Sequence, residues 1–187
     1  YAMDQEGLLV PLPGSSEQGL YIVYRHASGY AQFFNCCVPA ELRENLVELG
    51  ASQAFDAPQS VERLIQQHMP AKFEGQFTSE VIPRMPDRSE FPLVVYQQAV
   101  CVILVDEAPV CWAWSERSNE KCAEVAVETL PEHQRKGYAR QAVAAWAHMV
   151  IQSGRTALYS YKVENEPSRA LARSLGAVWY ADVVGFA

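Results

Sequence analysis

A helical pattern between two strand-like runs constrains the fold of this chain more than any other feature. The strand-like runs stand at Ala123–Thr129 and Ala157–Tyr161. Between them, from about residue 137 to 153, apolar residues recur at helical spacing: Ala139, Ala142, Val143, Trp146, Met149 and Val150. A strand, a helix and a strand in this order form a crossover that makes the two strands parallel. The pattern predicts an α/β (α+β) fold whose sheet contains a parallel strand pair.

Further patterns extend this predicted core over residues 93–187. A hairpin is predicted before the crossover, with strands at Ala99–Val105 and Val110–Ser115 and a tight turn at Asp106–Pro109. After the crossover, Asn165 can cap a short helix that ends near Gly176, and a last strand is predicted over residues 177–186.

Residues 1–92 are predicted to form an N-terminal elaboration. Its predicted elements are a β-hairpin with strands at Leu20–Tyr24 and Tyr30–Phe34, and two helices at Ala40–Leu49 and from Ser60 to about His68. Residues 70–92 contain four prolines, so we interpret them as a connecting stretch with one short strand near Phe77–Ile82.

Length and cysteine usage predict a cytoplasmic protein. The chain has 187 residues, which suits one domain with an elaboration. Its longest apolar run, Ala99–Val105, is far shorter than the roughly 18 residues of a membrane helix, and no signal peptide is evident. The five cysteines lack metal-ligand spacing and are predicted to be reduced thiols in the core, and we expect no metal site.

The charges are distributed unevenly along the chain. The formal net charge is −7, yet residues 132–173 carry a net +4 and the rest of the chain −11. An anionic ligand would therefore prefer residues 132–173. The basic residues are not interleaved with aromatic ones, and an acidic protein repels a polyphosphate chain, so we do not expect nucleic acid as a partner.

The loop before the long helix carries the chemistry that the sequence predicts. Residues 134–139 read Gln-Arg-Lys-Gly-Tyr-Ala, which has the form Gln-x-x-Gly-x-Ala. Small residues at Gly137 and Ala139 let a ligand approach the backbone closely. The first N–H groups of a helix have no internal partner, so they can bind a pyrophosphate, with added charge from Arg135, Lys136 and Arg140. The alternative is an ordinary strand-to-helix turn with a solvated basic face.

Residues 94–187 resemble the GNAT superfamily of acetyl-CoA-dependent N-acetyltransferases. The segment Pro131–Ala139 is similar to the family's pyrophosphate loop, and Asn165-Glu166-Pro167-Ser168 followed by Ser174-Leu175-Gly176-Ala177 is similar to a later family pattern. The resemblance implies a mixed, mostly antiparallel sheet with a splayed parallel pair that admits acetyl-CoA. The cofactor contacts that it implies are Thr129, Leu130, Gln134, Arg135, Lys136, Gly137, Tyr138, Ala139, Arg140, Asn165 and Ser168.

The resemblance also implies direct attack of an amine on the thioester, which needs a base. Glu124 resembles the strand glutamate that serves as base in some members, with a one-residue gap in the alignment, and Glu128 is the second candidate. Either side chain could instead be a structural or solvated carboxylate. Many relatives protonate the leaving thiolate with a tyrosine at a position that is Ala172 here; Tyr138, Tyr159 and Tyr161 are candidate substitutes.

Two functions follow as hypotheses. The first is an enzyme that moves an acetyl group from acetyl-CoA to a primary amine of a small molecule or peptide. We expect this acceptor to bind between the N-terminal elaboration, residues 1–92, and the sheet, and the acidic remainder of the chain favours a cationic acceptor. The second is a catalytically silent module that binds acyl-CoA as a sensor or scaffold. We expect no membrane as a partner, and a homodimer stays open. A dinucleotide-binding fold is disfavoured because Gly-x-Gly-x-x-Gly is absent.

Overall fold

The computed structural model describes residues 2, 3, 5–10 and 19–187. The chain divides into two compact units. The first comprises Tyr1–Thr78 and Ala181–Ala187, and the second comprises Ser79–Tyr180. The division predicted from the sequence, after residue 92, falls inside the second unit, and the last residues of the chain belong with the first.

Among its described residues, the first unit contains short strands and three helices. The strands are β1 (Ala2–Met3), β2 (Leu9–Val10), β3 (Tyr21–His26) and β4 (Gly29–Phe34), and the helices are α1 (Ala40–Leu49), α2 (Gln53–Asp56) and α3 (Pro58–Gln66). The predicted hairpin and the first predicted helix are confirmed. The second predicted helix begins two residues earlier than expected, and α2 was not predicted.

The core of the first unit joins the hairpin to the end of the chain. The last strand, β11 (Val178–Phe186), pairs antiparallel with β3 from Ala181 opposite His26 to Phe186 opposite Tyr21. The Tyr21 ring stacks on Phe34 with centroids 4.9 Å apart. Leu42 and Leu46 of α1 and Val61 and Ile65 of α3 are also buried in this cluster. Helix spacing thus places the apolar face of each helix in the core.

The second unit holds most of the predicted core. Its elements are the end of β5 (Phe73–Ile82), β6 (Val94–Gln97), β7 (Val100–Val105), β8 (Ala108–Ser118), β9 (Cys122–Thr129), α4 (Tyr138–Gln152), β10 (Thr156–Lys162), α5 (Glu166–Ser174) and the start of β11, with single-turn 3-10 helices at Arg88–Glu90 and Pro131–His133. Strands β6 to β9 pair antiparallel in order, and β10 pairs parallel to β9. The predicted mixed, mostly antiparallel α+β sheet with one parallel pair and flanking helices is confirmed.

Helix α4 packs on the sheet through small residues and one large aromatic ring. Every residue from Ala142 to Ala147 is buried. Trp146 is 1% exposed, and its indole Nε1 donates a hydrogen bond to Ser115 Oγ at 3.0 Å. The run of alanines lets the helix approach the strands closely while Trp146 fills the space between them. This packing fixes where the N-terminus of α4 lies.

Two strands differ from the sequence prediction. Residues 70–92 were expected to be a connecting stretch with a short strand, but β5 runs over ten residues, Phe73–Ile82. Strand β6, Val94–Gln97, was not predicted. The turn between β7 and β8 is also tighter than expected: Asp106 and Glu107, with φ of 50° and 65°, form it alone.

Within the described part of the chain, no helix has both the length and the apolar character needed to cross a membrane.

Candidate functional site

The two parallel strands separate after a short stretch of pairing. β10 pairs with β9 at Thr156 opposite Cys122, Ala157 opposite Ala123, and Leu158 opposite Glu124. Among the described residues, the register between these strands ends there, although β9 continues to Thr129 and β10 to Lys162. The sheet therefore opens between the carboxyl ends of β9 and β10. We call this opening the gap, and the pair Leu158–Glu124 its vertex.

The loop that follows β9 turns through two left-handed residues. Arg135 has φ of 59° and Gly137 has φ of 79°. Gly137 is the N-cap of α4, and no side chain caps this end of the helix. Left-handed residues in such a turn bring successive N–H groups to one concave surface that suits an anion.

Backbone N–H groups at the start of α4 are available to a ligand. The first hydrogen bond of the helix runs from the Gln141 N–H to the Gly137 carbonyl. Within the described residues, the N–H groups of residues 137–140 have no protein acceptor. A Cβ added at Gly137 would meet nothing within 4 Å, so the space beside this backbone is open. The loop thus offers a row of donors and room for a group such as pyrophosphate.

The charged side chains around the loop do not all behave as the sequence predicts. Arg135 and Lys136 are exposed, as a role in binding an anion requires. Arg140 is instead paired with a carboxylate: its Nη2 lies 2.8 Å from Glu90 Oε2, and its Nε donates to the Ser174 carbonyl at 3.2 Å. The side-chain charge of Arg140 is therefore directed to Glu90 and α5.

Glu90 was not identified from the sequence, because it lies in the proline-containing stretch after β5. Besides Arg140, it accepts hydrogen bonds from Arg84 Nη1 at 2.8 Å and from the Asp87 N–H at 3.0 Å. These donors, Arg84 first, lower the pKa of Glu90 to about 2. Glu90 and Asp87 also form a capping box on the short helix Arg88–Glu90. No local sequence signal connects Glu90 to Arg140, which is 50 residues away.

The end of β9 forms one wall of a cleft. An open depression of about 430 Å³ is lined by Trp112, Val127, Glu128, Thr129, Leu130, Pro131 and Gln134. The predicted residues Thr129, Leu130 and Gln134 therefore come together here. Leu130 N–H donates to the Val110 carbonyl at 3.0 Å, and Gln134 Nε2 lies 3.4 Å from the Thr129 carbonyl. The first bond holds the end of β9 against the neighbouring strand β8, and the second holds the loop against the end of β9.

The two candidate bases occupy different positions along β9. Glu124 lies at the vertex, is half-buried, and has an oxygen 3.7 Å from Arg117 Nη1. Glu128 is exposed and lines the cleft near the loop. The two residues are four positions apart on an extended strand, which is about 13 Å at the usual rise per residue. Only one of them can therefore lie near any single reacting atom.

Asn165 and Ser168 are placed together by the cap of α5. The Asn165 side-chain oxygen accepts from the Ser168 N–H at 3.1 Å, as a helix cap does. The Ser168 hydroxyl lies 2.8 Å from the Tyr159 hydroxyl on β10. Tyr159 directly follows Leu158, so its backbone is the first on β10 beyond the pairing with β9.

The other candidate acids are held elsewhere. Tyr161 donates to Glu80 Oε1 at 3.0 Å, and burial together with this carboxylate raises the pKa of Tyr161 to about 12. The Tyr138 ring stacks against His133 with centroids 6.3 Å apart. Ala172 is 0% exposed and packs in the core of the second unit. Glu80 was not identified from the sequence as a partner of Tyr161, although it lies in the short strand predicted near Phe77–Ile82, because the two residues are 81 positions apart.

The thiols differ in part from the sequence prediction. Cys101 and Cys111 are buried, and burial raises the pKa of both, that of Cys101 to about 12. Cys36 and Cys37 are exposed, so the prediction that the cysteines fill the core is wrong for them. Within the described residues, no three His, Cys, Asp or Glu side chains are grouped so that they could hold a metal ion.

Comparison with known proteins agrees with this geometry. Residues 107–182, which include β9, the loop, α4 and α5, match the family model described as FR47-like protein. No curated protein matches the chain in sequence.

Solved structures resemble the fold at low sequence identity. A GCN5-related N-acetyltransferase-like protein from Streptococcus suis has a TM-score of 0.53 at 13% identity, over 92% of this chain and 85% of that one. A GNAT-family protein from Novosphingobium aromaticivorans has a TM-score of 0.52 at 14% identity, over 62% of this chain and 66%, just under two thirds, of that one. A GNAT-family acetyltransferase from Colwellia psychrerythraea has a TM-score of 0.50 at 8% identity, over 83% and 75%. Residues 107–182 are therefore similar to the FR47-like family model, and the chain has the fold of the solved GNAT-family structures.

Proposed function

We propose that this protein transfers an acetyl group from acetyl-CoA to a primary amine. The observation that carries the proposal is the row of N–H groups at residues 137–140, which have no protein acceptor in the described part of the chain and lie at the mouth of the gap. These groups, with Arg135 and Lys136, would bind the pyrophosphate. Arg140 supports α5 and Glu90 in this proposal, and only its backbone N–H would contact the ligand.

The length of the gap supports coenzyme A as the ligand. From Val125 to Thr129, β9 has five residues without a partner on β10, a span of about 17 Å at the usual strand rise. An extended pantetheine arm bound at the loop would cover this span and place its sulfur near the vertex. Unpaired backbone groups on both strands could hydrogen-bond the amides of the arm.

At the vertex, the reaction needs a group that keeps the attacking amine neutral. Acetyl-CoA supplies the acetyl thioester, and a primary amine is mostly protonated near neutral pH. Glu124 is the glutamate at the vertex, where one of its carboxylate oxygens lies 3.7 Å from Arg117 Nη1. Glu128 lies too close to the loop for this role and would instead line the path of the ligand. We therefore prefer Glu124 as the base.

The acceptor class rests on charge. Outside residues 132–173 the chain carries a net −11, which attracts a cationic amine such as a polyamine, an amino sugar or a lysine side chain.

A silent acyl-CoA-binding module is the second candidate, because Ala172 stands where many relatives have a tyrosine and is buried in the core. Two measurements separate the candidates. Acetyl-CoA at about 100 times its dissociation constant should stabilise the protein by about 2.7 kcal/mol in thermal unfolding. Release of free CoA thiol across a panel of amines would then establish an enzyme. Stabilisation without release from any amine would favour the module, and absence of stabilisation would refute both.

A further inference from the structure

The face of β8 and β9 that is turned away from α4 carries two tryptophans. Trp112 and Trp114 are two positions apart on β8, so their side chains lie on the same face of the strand. The residues beside them, Cys111 and Ala113, are 0% exposed and belong to the same core cluster as the buried residues of α4. The two tryptophans therefore lie on the opposite face, where both are half-buried.

Strand β9 completes this face with one carboxylate and one small side chain. Trp112 lies directly opposite Glu128, and Trp114 lies directly opposite Ala126. Opposite side chains in an antiparallel pair lie side by side on one face, with their Cβ atoms about 5 Å apart. Ala126 has only a methyl group, so it leaves room for a ligand beside the indole of Trp114. We call these four residues the tryptophan face.

One end of the tryptophan face suits a positively charged group. Trp112 and Glu128 both line the open depression of about 430 Å³ at the end of β9. Glu128 is exposed, so its charge is accessible to a ligand. The face of an indole ring and a carboxylate both attract a cation. An ammonium group of a ligand would therefore be stabilised between these two side chains.

The other end of the strand pair suits a neutral amine. A bulge after Ser115 brings Arg117 opposite Glu124, and Arg117 Nη1 lies 3.7 Å from an oxygen of Glu124. The positive charge of Arg117 disfavours a second cation at this point. Glu124 is at the vertex, where the proposed reaction needs an uncharged amine. An acceptor with one neutral and one charged amine would therefore lie along β9 with its charged end toward Glu128.

The distance between the two ends sets the length of such an acceptor. Glu124 and Glu128 are four positions apart on β9, about 13 Å. With bonds of about 1.5 Å in an extended zigzag chain, the same distance takes roughly ten bonds. A lysine side chain carries a single amine on a short stem, and an amino sugar is a compact ring. Neither reaches from one end to the other with an amine at each.

The middle of the tryptophan face offers a further position for a cation. Ala126 is midway between Glu124 and Glu128, and Trp114 lies opposite it. The indole Nε1 of Trp114 donates to Glu116 Oε2 at 3.0 Å, which orients the ring and brings a carboxylate to its edge. A secondary ammonium midway along a chain would meet this ring and this carboxylate.

We propose that the tryptophan face binds the acceptor and that the acceptor is a linear polyamine. Its distal ammonium lies between Trp112 and Glu128, its inner ammonium lies beside Trp114, and its neutral terminal amine lies at Glu124. The inference rests on the proposed acetyl transfer and selects one of its acceptor classes. The tryptophan face takes no part in the transfer itself, so its effect is on binding of the acceptor.

Three amines of similar chain length test the proposal: octylamine, 1,8-diaminooctane and the linear triamine spermidine. Octylamine lacks the distal ammonium, and 1,8-diaminooctane lacks the inner one. Titration calorimetry on protein saturated with free CoA measures the binding of each amine without turnover. Because a cation–aromatic contact should raise affinity about 2- to 30-fold, the diamine should bind more tightly than octylamine, and spermidine more tightly than the diamine. The same order should appear in kcat/KM, through KM.

Substitutions assign each preference to a position. Trp112→Leu and Glu128→Gln should each lower the preference for the diamine over octylamine, since both remove a partner of the distal ammonium. Trp114→Leu should lower the preference for spermidine over the diamine. Glu128→Gln keeps the size of the side chain, so it tests the distal position even if Trp112→Leu folds poorly.

Tyr96→Leu and Glu107→Gln are the matched controls. Tyr96 is an aromatic residue on β6 that is 46% exposed, and Glu107 is an exposed carboxylate in the turn between β7 and β8. Each control removes the same kind of group as the test variants, but from outside the tryptophan face. Both should retain the wild-type order of the three amines.

The outcomes separate this inference from the proposed function. If the three amines bind equally, or if the controls lose the same preferences as the test variants, the tryptophan face does not select the acceptor, and acetyl transfer to another amine still stands. If CoA stabilises the protein but no amine releases its thiol from acetyl-CoA, the proposed transfer is wrong and the inference is wrong with it, whatever the order of binding.

Discussion

Replacing Gly137 by valine should abolish binding of acetyl-CoA while leaving the protein folded. Gly137 has φ of 79°, a left-handed conformation that costs an L-residue with a Cβ about 1–2 kcal/mol. Nothing lies within 4 Å of a Cβ at this position, so no clash adds to that cost. For a chain of this size, the melting temperature should fall by roughly 2–8 °C. A total stability of about 5–15 kcal/mol tolerates such a loss.

The effect on binding should be much larger than the effect on folding. The open space at Gly137 is where the proposed pyrophosphate would lie against the N–H groups of residues 137–140, and the valine methyl groups would occupy it. If instead the backbone leaves the left-handed conformation to relieve strain, the N–H groups turn away from the ligand. Both responses remove the site, so the stabilisation of about 2.7 kcal/mol expected at 100 times the dissociation constant should disappear.

Gly154 offers a matched control at the other end of the same helix. Its φ is also 79°, and nothing lies within 4 Å of its Cβ position. Gly154→Val should therefore cause a similar loss of stability but keep the thermal shift with acetyl-CoA. Thermal unfolding of both variants, with and without acetyl-CoA, makes the comparison. Retained binding in Gly137→Val, or equal loss of binding in both variants, would show that the loop is not the anion site.

Three further predictions concern other parts of the molecule. Glu124→Gln should lower kcat/KM for the amine by about 10²- to 10⁴-fold in steady-state assays, and Glu128→Gln by less than about 10-fold; full turnover in both would reject a glutamate base on β9. The pKa of Glu90 is low, about 2, so its contribution to the free energy of unfolding is complete above the pKa of the unfolded chain, near 4.3, and is lost as pH falls toward 2. The free energy of unfolding of Glu90→Gln, measured in urea, should therefore depend less on pH in that interval than that of the wild type. Leu42 is 0% exposed, so Leu42→Ala should lower the free energy of unfolding in urea by about 2–5 kcal/mol. Val47 on the same helix is 54% exposed, so Val47→Ala should change it by no more than about 0.5 kcal/mol. Similar values for the two variants would show that the apolar face of α1 is assigned wrongly.

The sequence predicts the elements whose side chains follow a regular period. Helix α4 and strands β7 to β10 have apolar residues at constant spacing, because each has one face in the core. β5 is harder to predict because Glu74, Gly75 and Gln76 interrupt its pattern, so its first half resembles a loop. β6 has only four residues, mostly exposed, and its strand structure depends on pairing with β7 rather than on its own composition.

In the candidate site, too, local features could be predicted from the sequence and contacts between distant residues could not. The turn at Gly137 and the cap at Asn165 are local, so glycine placement and capping preferences are enough to predict them. The partners of Arg140 and Tyr161 are not, since Glu90 and Glu80 come from stretches about 50 and 80 residues earlier in the chain. Only the packed sheet brings these groups together. The choice between Glu124 and Glu128 also depends on the packed sheet, because the end of the pairing between β9 and β10 decides which of them lies at the vertex.

The pairing of β3 with β11 affects how the chain folds during synthesis. Tyr21 of the hairpin finds its strand partner Phe186 only after more than a hundred further residues have been added to the first 78. At about 5–20 residues per second, a ribosome needs roughly 5–20 s to make them. During this delay Leu42, Val61 and their neighbours lack Val184 and Phe186, which complete their cluster. The nascent first unit would thus depend on protection from aggregation until the distant strand arrives, whereas Ser79–Tyr180 is continuous and can fold as it emerges.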